Sequence, residues 1–122
     1  MIGVMCLAMN IYFEARNQPI DGQMMVAEVT LNRVQQSKEP TSICEVVWKD
    51  KQFSWTHDGK SDKPHLDKAF YTAILVASEA MEGETLHTGA THYHNTSVEP
   101  VWAKGMIVLG KYGDHIFYKD RM

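Results

Sequence analysis

Every segment of this chain that is patterned as a helix precedes every segment patterned as a strand, and that order is the strongest constraint on its fold. Val4, Leu7, Ala8, Ile11 and Ala15 recur at helical spacing and predict a first helix from Gly3 to Arg16. Asn17 to Gly22, punctuated by Pro19 and Gly22, breaks it. A second helix is expected from Asp21, as N-cap, to Gln35, with Met25, Val26, Val29 and Asn32 on its inner face and Leu31 and Val34 flanking. Ser37 to Pro40 connects it to a short third helix. There Ser42-Ile43-Cys44-Glu45 has the form of a capping box and the helix runs to Trp48. The fourth helix spans Leu66 to Met81, with Ala69, Phe70, Ala73, Ile74, Ala77 and Ala80 on a wide apolar face and Gly83 as the residue past its end.

Beyond Gly83 the period changes. Ala90 to Asn95 alternates and predicts a strand. Ile107 to Leu109 and His115 to Tyr118 flank Gly110-Lys111-Tyr112-Gly113-Asp114 and read as a hairpin. Helices followed by a small sheet make the class α+β. The 122 residues suit one domain, residues 1–122, and 44% apolar content is enough for a core. A formal charge of −3 argues against nucleic acid as the partner, because phosphate binding needs a concentrated basic surface. No stretch is long and apolar enough to span a membrane. Met1 to Met9 is apolar but lacks a basic n-region and a small-residue cleavage site, so it reads as the start of a helix rather than a leader. Cys6 and Cys44 lie among apolar neighbours without CxxC spacing, and buried free thiols are the favoured reading over a single disulfide.

Several residues could carry chemistry. Glu14 falls in the last turn of the first helix, beside Tyr12 and Phe13. The negative end of the helix dipole and the aromatic surroundings both disfavour its charged form. A glycosidase needs such a carboxyl group, protonated near neutral pH, to protonate a leaving glycosidic oxygen. On spacing alone, however, a surface glutamate paired with Arg16 is the favoured reading. On a strand, His92 and His94 share one face and could share a metal, but no HExxH or similar signature supplies the remaining ligands. A polar strand end lining a cleft is the simpler reading, with Tyr93 pointing the other way. The long polar stretch from Lys49 to Pro64, interrupted by Phe53-Ser54-Trp55, is a candidate functional loop. Phe53, Trp55, Tyr93, Trp102 and Tyr112 could stack on sugar rings or simply pack.

Asn10-Ile11-Tyr12-Phe13-Glu14-Ala15-Arg16 resembles the opening motif of the SleB/CwlJ-type cell-wall hydrolases, the family of the spore cortex-lytic enzymes. The resemblance continues in order through Val26 to Val34, Ile43 to Val47, Gln52 to Trp55, Ala90 to Asn95, Pro100 to Ala103 and Gly113 to Tyr118. It implies a lysozyme-like α+β domain acting on the glycan strands of peptidoglycan, with Glu14 at the position of the family's catalytic glutamate. It further implies a lytic transglycosylase that needs neither cofactor nor metal. Tyr93 and Asn95 are the candidates for holding the sugar beside Glu14, with Phe53, Ser54 and Trp102 as further groove residues. A hydrolytic muramidase, a metal-dependent amidase using His92 and His94, and a non-catalytic glycan-binding module are the alternatives. The expected partner is the glycan alone, with no nucleic acid and no membrane, met by a monomer. The expected place of action is the cell wall, reached by a route other than a recognisable leader, and through a holin if the chain is phage-encoded. Two positions depart from the family pattern. Asn17 and Gln18 replace a common Gly-Glu pair, and Glu28 stands where an apolar residue is usual, which reads as an exposed position.

Overall fold

The computed structural model describes residues 2–49 and 67–121. Its four helices are α1 (Gly3–Ala15), α2 (Ile20–Gln36), α3 (Ile43–Trp48) and α4 (Lys68–Met81). Three strands follow, β1 (His92–Asn95), β2 (Ile107–Tyr112) and β3 (His115–Lys119), with a 3-10 turn at Val101–Gly105 before β2. The expected order of helices then sheet is therefore the order observed. The sheet is antiparallel throughout, with β3 between β1 and β2.

The first helix is the axis of the molecule. Cys6 to Tyr12 are buried without interruption, so α1 is enclosed on all sides rather than along one stripe. It packs against α2, α3 and α4. Leu7, Ile11, Met25, Val29, Val47, Ala73, Ala77 and Phe117 all have no exposed surface and form the common core. The one fully buried amide on this helix, Asn10, donates to the Thr30 hydroxyl on α2 at 3.4 Å.

The caps follow the chemistry of their residues, not always at the expected place. Ser42 does cap α3, accepting from the Glu45 N–H at 3.1 Å. Asp21 does not cap α2. The helix begins one residue earlier after Pro19, and the Asp21 carboxylate accepts from Gly22 N–H instead. The fourth helix starts later than its apolar pattern suggests because Asp67 caps it, accepting from Phe70 N–H at 3.0 Å. Its end is as expected, with Gly83 in the left-handed region at φ 93°. The hairpin turn is tighter than Gly110 to Asp114. Strand β2 runs through Gly110, where the register slips between Val108 and Gly110, and the chain reverses at Gly113 (φ 62°) and Asp114. A side chain on Gly113 would also collide with Gln18 and Pro19, so glycine is required there twice over.

Cys6 and Cys44 form a disulfide joining α1 to α3, which corrects the free-thiol reading. Burial of Cys6 at 2% exposure was foreseen, but sequence spacing held no sign that α3 would dock on that turn of α1. Glu28 is a second correction: it is 2% exposed rather than on the surface. One of its carboxylate oxygens accepts from Thr88 N–H at 2.7 Å, Thr88 hydroxyl at 2.6 Å and Gly89 N–H at 3.0 Å. Asn32 and Arg33, one turn on, donate to the carbonyls of Ala90 and Thr91 at 2.7 and 2.8 Å. The segment leading into β1 thus has its backbone groups satisfied by side chains of α2.

The disulfide bridges positions 38 apart. Loop-closure entropy for that separation predicts a loss of about 4 kcal/mol on reduction. Urea denaturation with and without a reductant would measure it, and an unchanged midpoint would contradict the account.

Candidate active site

Because α1 is enclosed along its length, only its ends can present polar side chains, and Glu14 lies one residue from its C-terminal end. Tyr12, two residues before it, is locked edge-on between Phe13 and Phe70, with ring centroids 5.1 and 5.7 Å away. The Arg16 guanidinium sits over the Tyr12 ring at 4.8 Å. This packing fixes the last turn of the helix from below.

Strand β1, at one edge of the sheet, brings Tyr93 to Glu14. Its residues alternate as expected. Tyr93 pairs with Phe117 on the face turned to the core, while His92 and His94 lie on the other. The Tyr93 hydroxyl donates a hydrogen bond to Glu14 Oε1. Desolvation and the neighbouring Glu14 carboxylate push the Tyr93 phenol well above its ordinary range, only partly opposed by Arg33. Tyr93 is therefore a hydrogen-bond donor to Glu14 at any physiological pH.

Arg33 completes the group from α2. Its Nε donates to Thr91 carbonyl, two residues before Tyr93, and its charge is felt by both Glu14 and Tyr93. Desolvation lowers the guanidinium from its ordinary range, and those two neighbours oppose the shift. Beside Tyr93 opens a cavity of about 620 Å³, with Arg33, Gln36, Thr91, His92 and Trp102 among its walls. Glu14 itself is not on that wall. It hydrogen-bonds to one residue of that wall, Tyr93.

The opposite face of β1 is an aromatic cluster. His94 stacks on Tyr118 with centroids 5.3 Å apart, and Trp102 packs edge-on against Tyr118 at 5.4 Å and tilted on His92 at 5.1 Å. Trp102 stays 39% exposed, enough to offer a ring face at the cavity mouth. His94 Nδ1 is 2.8 Å from its neighbour's carbonyl at Asn95, which can only accept, so that nitrogen carries the proton. Its Nε2 meets the Tyr118 hydroxyl at 2.7 Å. Both ring nitrogens are thus engaged within the protein. His92 Nδ1 meets the Thr91 hydroxyl at 3.0 Å, and desolvation, aided by Arg33, lowers its pKa. Among the described residues no three His, Cys, Asp or Glu side chains come together as metal ligands.

Of the residues singled out from the sequence, Glu14 and Tyr93 are brought into contact, and Trp102 lies on the cavity they adjoin. Asn95 sits at the exposed end of β1, where its side chain accepts from Ser97 N–H at 2.9 Å and holds the following turn. Phe53, Ser54 and Trp55 fall outside the described residues. Arg33, Gln36 and Thr91 were missed. Arg33 carried a signal as the one basic residue of α2.

Comparison with known proteins decides the family. The cell wall hydrolase profile matches residues 17–118. The chain belongs to the cell wall hydrolase family. A spore cortex-lytic enzyme of Halalkalibacterium halodurans is 30% identical over 117 residues, which cover 93% of this chain and 34% of that protein. The spore cortex-lytic enzyme of Bacillus subtilis is 31% identical over 113 residues, covering 91% of this chain and 35% of that protein. This cell wall hydrolase therefore spans about a third of the length of these curated relatives. Among solved structures, the catalytic domain of the germination-specific lytic transglycosylase SleB from Bacillus anthracis matches with a TM-score of 0.79 and 28% identity. That match covers 96% of this chain and 93% of that one. The SleB catalytic domain of Bacillus cereus matches at 0.81 and 28% identity, covering 96% of this chain and 89% of that one. The fold is thus the lysozyme-like fold of the SleB catalytic domain. The family profile begins at residue 17, so the place of Glu14 rests on the geometry above.

The contact between Tyr93 and Glu14 predicts a titration. Replacing Glu14 by Gln removes the charge that resists phenolate formation, so Tyr93 should ionise at lower pH in Glu14→Gln than in the parent. Ring-carbon NMR of the tyrosines across alkaline pH would follow it, and superimposable Tyr93 titrations would contradict the contact.

Proposed function

We propose that this cell wall hydrolase is a peptidoglycan lytic transglycosylase in which Glu14 acts first as acid and then as base. The observation that supports it most is the Tyr93 phenol held on Glu14 at the end of the enclosed helix, beside an open cavity. Its likeness to a catalytic domain named as a lytic transglycosylase, over nearly the whole of both chains, supports the same reading.

The steps follow from one carboxyl group. With Oε1 accepting from Tyr93, the transferable proton sits on Oε2. Glu14 gives that proton to the glycosidic oxygen as the bond from the muramoyl anomeric carbon to it breaks. The Glu14 carboxylate then takes the proton of the muramoyl 6-hydroxyl as that oxygen bonds to the anomeric carbon. The acid is regenerated, no water is consumed, and a 1,6-anhydro end is left. The nucleophile belongs to the same sugar, so its attack carries an intramolecular advantage and needs no second carboxylate. Glu28, the other carboxylate singled out in the sequence, is committed to the loop at Thr88 and Gly89. Tyr93 serves by fixing Glu14 and by stabilising its charged form between the two proton transfers. The exposed face of Trp102 offers a stacking surface for sugar, and Asn95 lies at the rim of the same strand end. Phe53 and Ser54 remain groove candidates by their place in the motif.

Glu14→Gln keeps the size of the side chain and removes the donor proton. It should leave the circular dichroism and thermal midpoint near those of the parent while lowering clearing of purified sacculi by a factor of about 1,000 or more. Clearing at near-parental rate would refute the assignment.

A further inference from the structure

Glu28 lies on α2 at 2% exposure, yet the reaction at Glu14 gives it no proton to carry. A buried carboxylate is costly unless donors surround it. Here three donors converge on one oxygen, Oε2: the N–H groups of Thr88 and Gly89 at 2.7 and 3.0 Å, and the Thr88 hydroxyl at 2.6 Å. Successive N–H groups aimed at a common point form a nest for an anion. The backbone there is left-handed at His87 (φ 53°) and again at Gly89 (φ 82°). His87 is the one non-glycine residue with positive φ among the described residues, and such a conformation persists only where its surroundings hold it. The chain of bonds continues towards the site. Thr88 hydroxyl accepts from Ala90 N–H at 3.2 Å, Asn32 and Arg33 take the carbonyls of Ala90 and Thr91, and Thr91 N–H reaches Tyr118 carbonyl at 2.9 Å. Tyr93 follows two residues later, with its hydroxyl on Glu14 Oε1.

We propose that Glu28 is a positioning residue for the reaction at Glu14: its carboxylate anchors the turn at Thr88 and Gly89, and that anchor sets β1 so that the Tyr93 hydroxyl meets Glu14. The inference rests on the reaction proposed above and adds a residue that acts through Tyr93 without touching substrate. Asn32 and Arg33 hold Ala90 and Thr91 by their carbonyls, so of the three α2 side chains Glu28 alone takes N–H groups. Glu14 is placed independently, because α1 is fixed by its packing against α2, α3 and α4. Tyr93 carries its hydroxyl at the tip of a rigid ring, so a shift at the start of β1 is carried to the bond with Glu14. A hydrogen bond weakens steeply with misalignment. A displacement of about 1 Å near reacting groups costs about 100-fold in rate.

Two substitutions test it. Glu28→Leu removes the acceptor, whereas Glu28→Gln keeps an acceptor oxygen of the same reach without the carboxylate's charge. In Glu28→Leu, measured well below its thermal midpoint, Tyr93 should ionise at lower pH than in the parent, because it leaves the Glu14 carboxylate that resists phenolate formation. Cleavage of soluble glycan strands by the same protein should slow about ten-fold. Glu28→Gln should recover most of both, which separates the loss of an acceptor from the loss of a charge. Should Glu28→Leu fail to fold, Thr88→Val removes one of the three donors and should move both readouts in the same direction, to a smaller extent. A parental Tyr93 titration or a parental rate in Glu28→Leu, or in Thr88→Val where that stands in for it, would overturn the inference. So would a Glu28→Gln protein no better than Glu28→Leu. The titration is independent of the product formed, so failure of the transglycosylase reading shows separately, in the end groups released by the parent protein.

Discussion

Enclosure of α1 on every side is the constraint on which the rest depends. A helix buried from Cys6 to Tyr12 has no solvent-facing stripe. The other three helices must surround it, and its polar side chains can emerge only at the ends. The Asn10 amide, trapped inside, is held by Thr30. Glu14 escapes that burial by standing one residue from the C-terminal end, where the chain turns towards α2. Its position is therefore a consequence of how the core is built, and the disulfide from Cys6 to Cys44 ties the same helix to α3.

A carboxyl group at a helix end becomes a defined site only when something fixes its surroundings, and here α2 does so at a distance. Glu28, Asn32 and Arg33 take up the backbone groups of Thr88, Gly89, Ala90 and Thr91 one after another. Those residues form no sheet pairing of their own beyond the bond from Thr91 N–H to Tyr118 carbonyl. Without the α2 side chains the carbonyls of the buried Ala90 and Thr91 would go unmet, at a cost of about 1–3 kcal/mol each. The clamp sets where β1 begins, and so where Tyr93 points. A second tie secures the far side. Gln18 accepts from Asp114 N–H at 2.7 Å and donates to the Asp114 carboxylate at 3.2 Å, joining the α1–α2 turn to the hairpin. A glutamate at position 18, common in the family pattern, would set a second negative charge against Asp114; the amide does not.

The legible parts of the sequence were those written as local patterns. The helical periods gave α1 to α4 within a few residues, and Ser42 with Glu45 marked the start of α3. The alternation at His92-Tyr93-His94 correctly assigned the histidines and the tyrosine to opposite faces. What stayed hidden depends on contacts between distant segments. Nothing local distinguishes a buried glutamate with three donors from an exposed one, and the donors to Glu28 lie 60 and 61 residues away. The same holds for the pairing of Cys6 with Cys44 and for Arg33 at the wall of the cavity. Glu14 is intermediate. Local physics placed it at a helix end among aromatics, the family motif raised it to a site residue, and the structure supplied Tyr93 as its partner.

In the proposed reaction one carboxyl group does the work of acid and base, with the attacking oxygen drawn from the sugar itself. The end group of the product records which oxygen attacked. Mass spectrometry of sacculi digested by the purified protein should find muramic acid ends in the 1,6-anhydro form, lighter by one water than reducing ends. Reducing muramic acid ends without anhydro ends would show that water attacks, and would contradict the central claim.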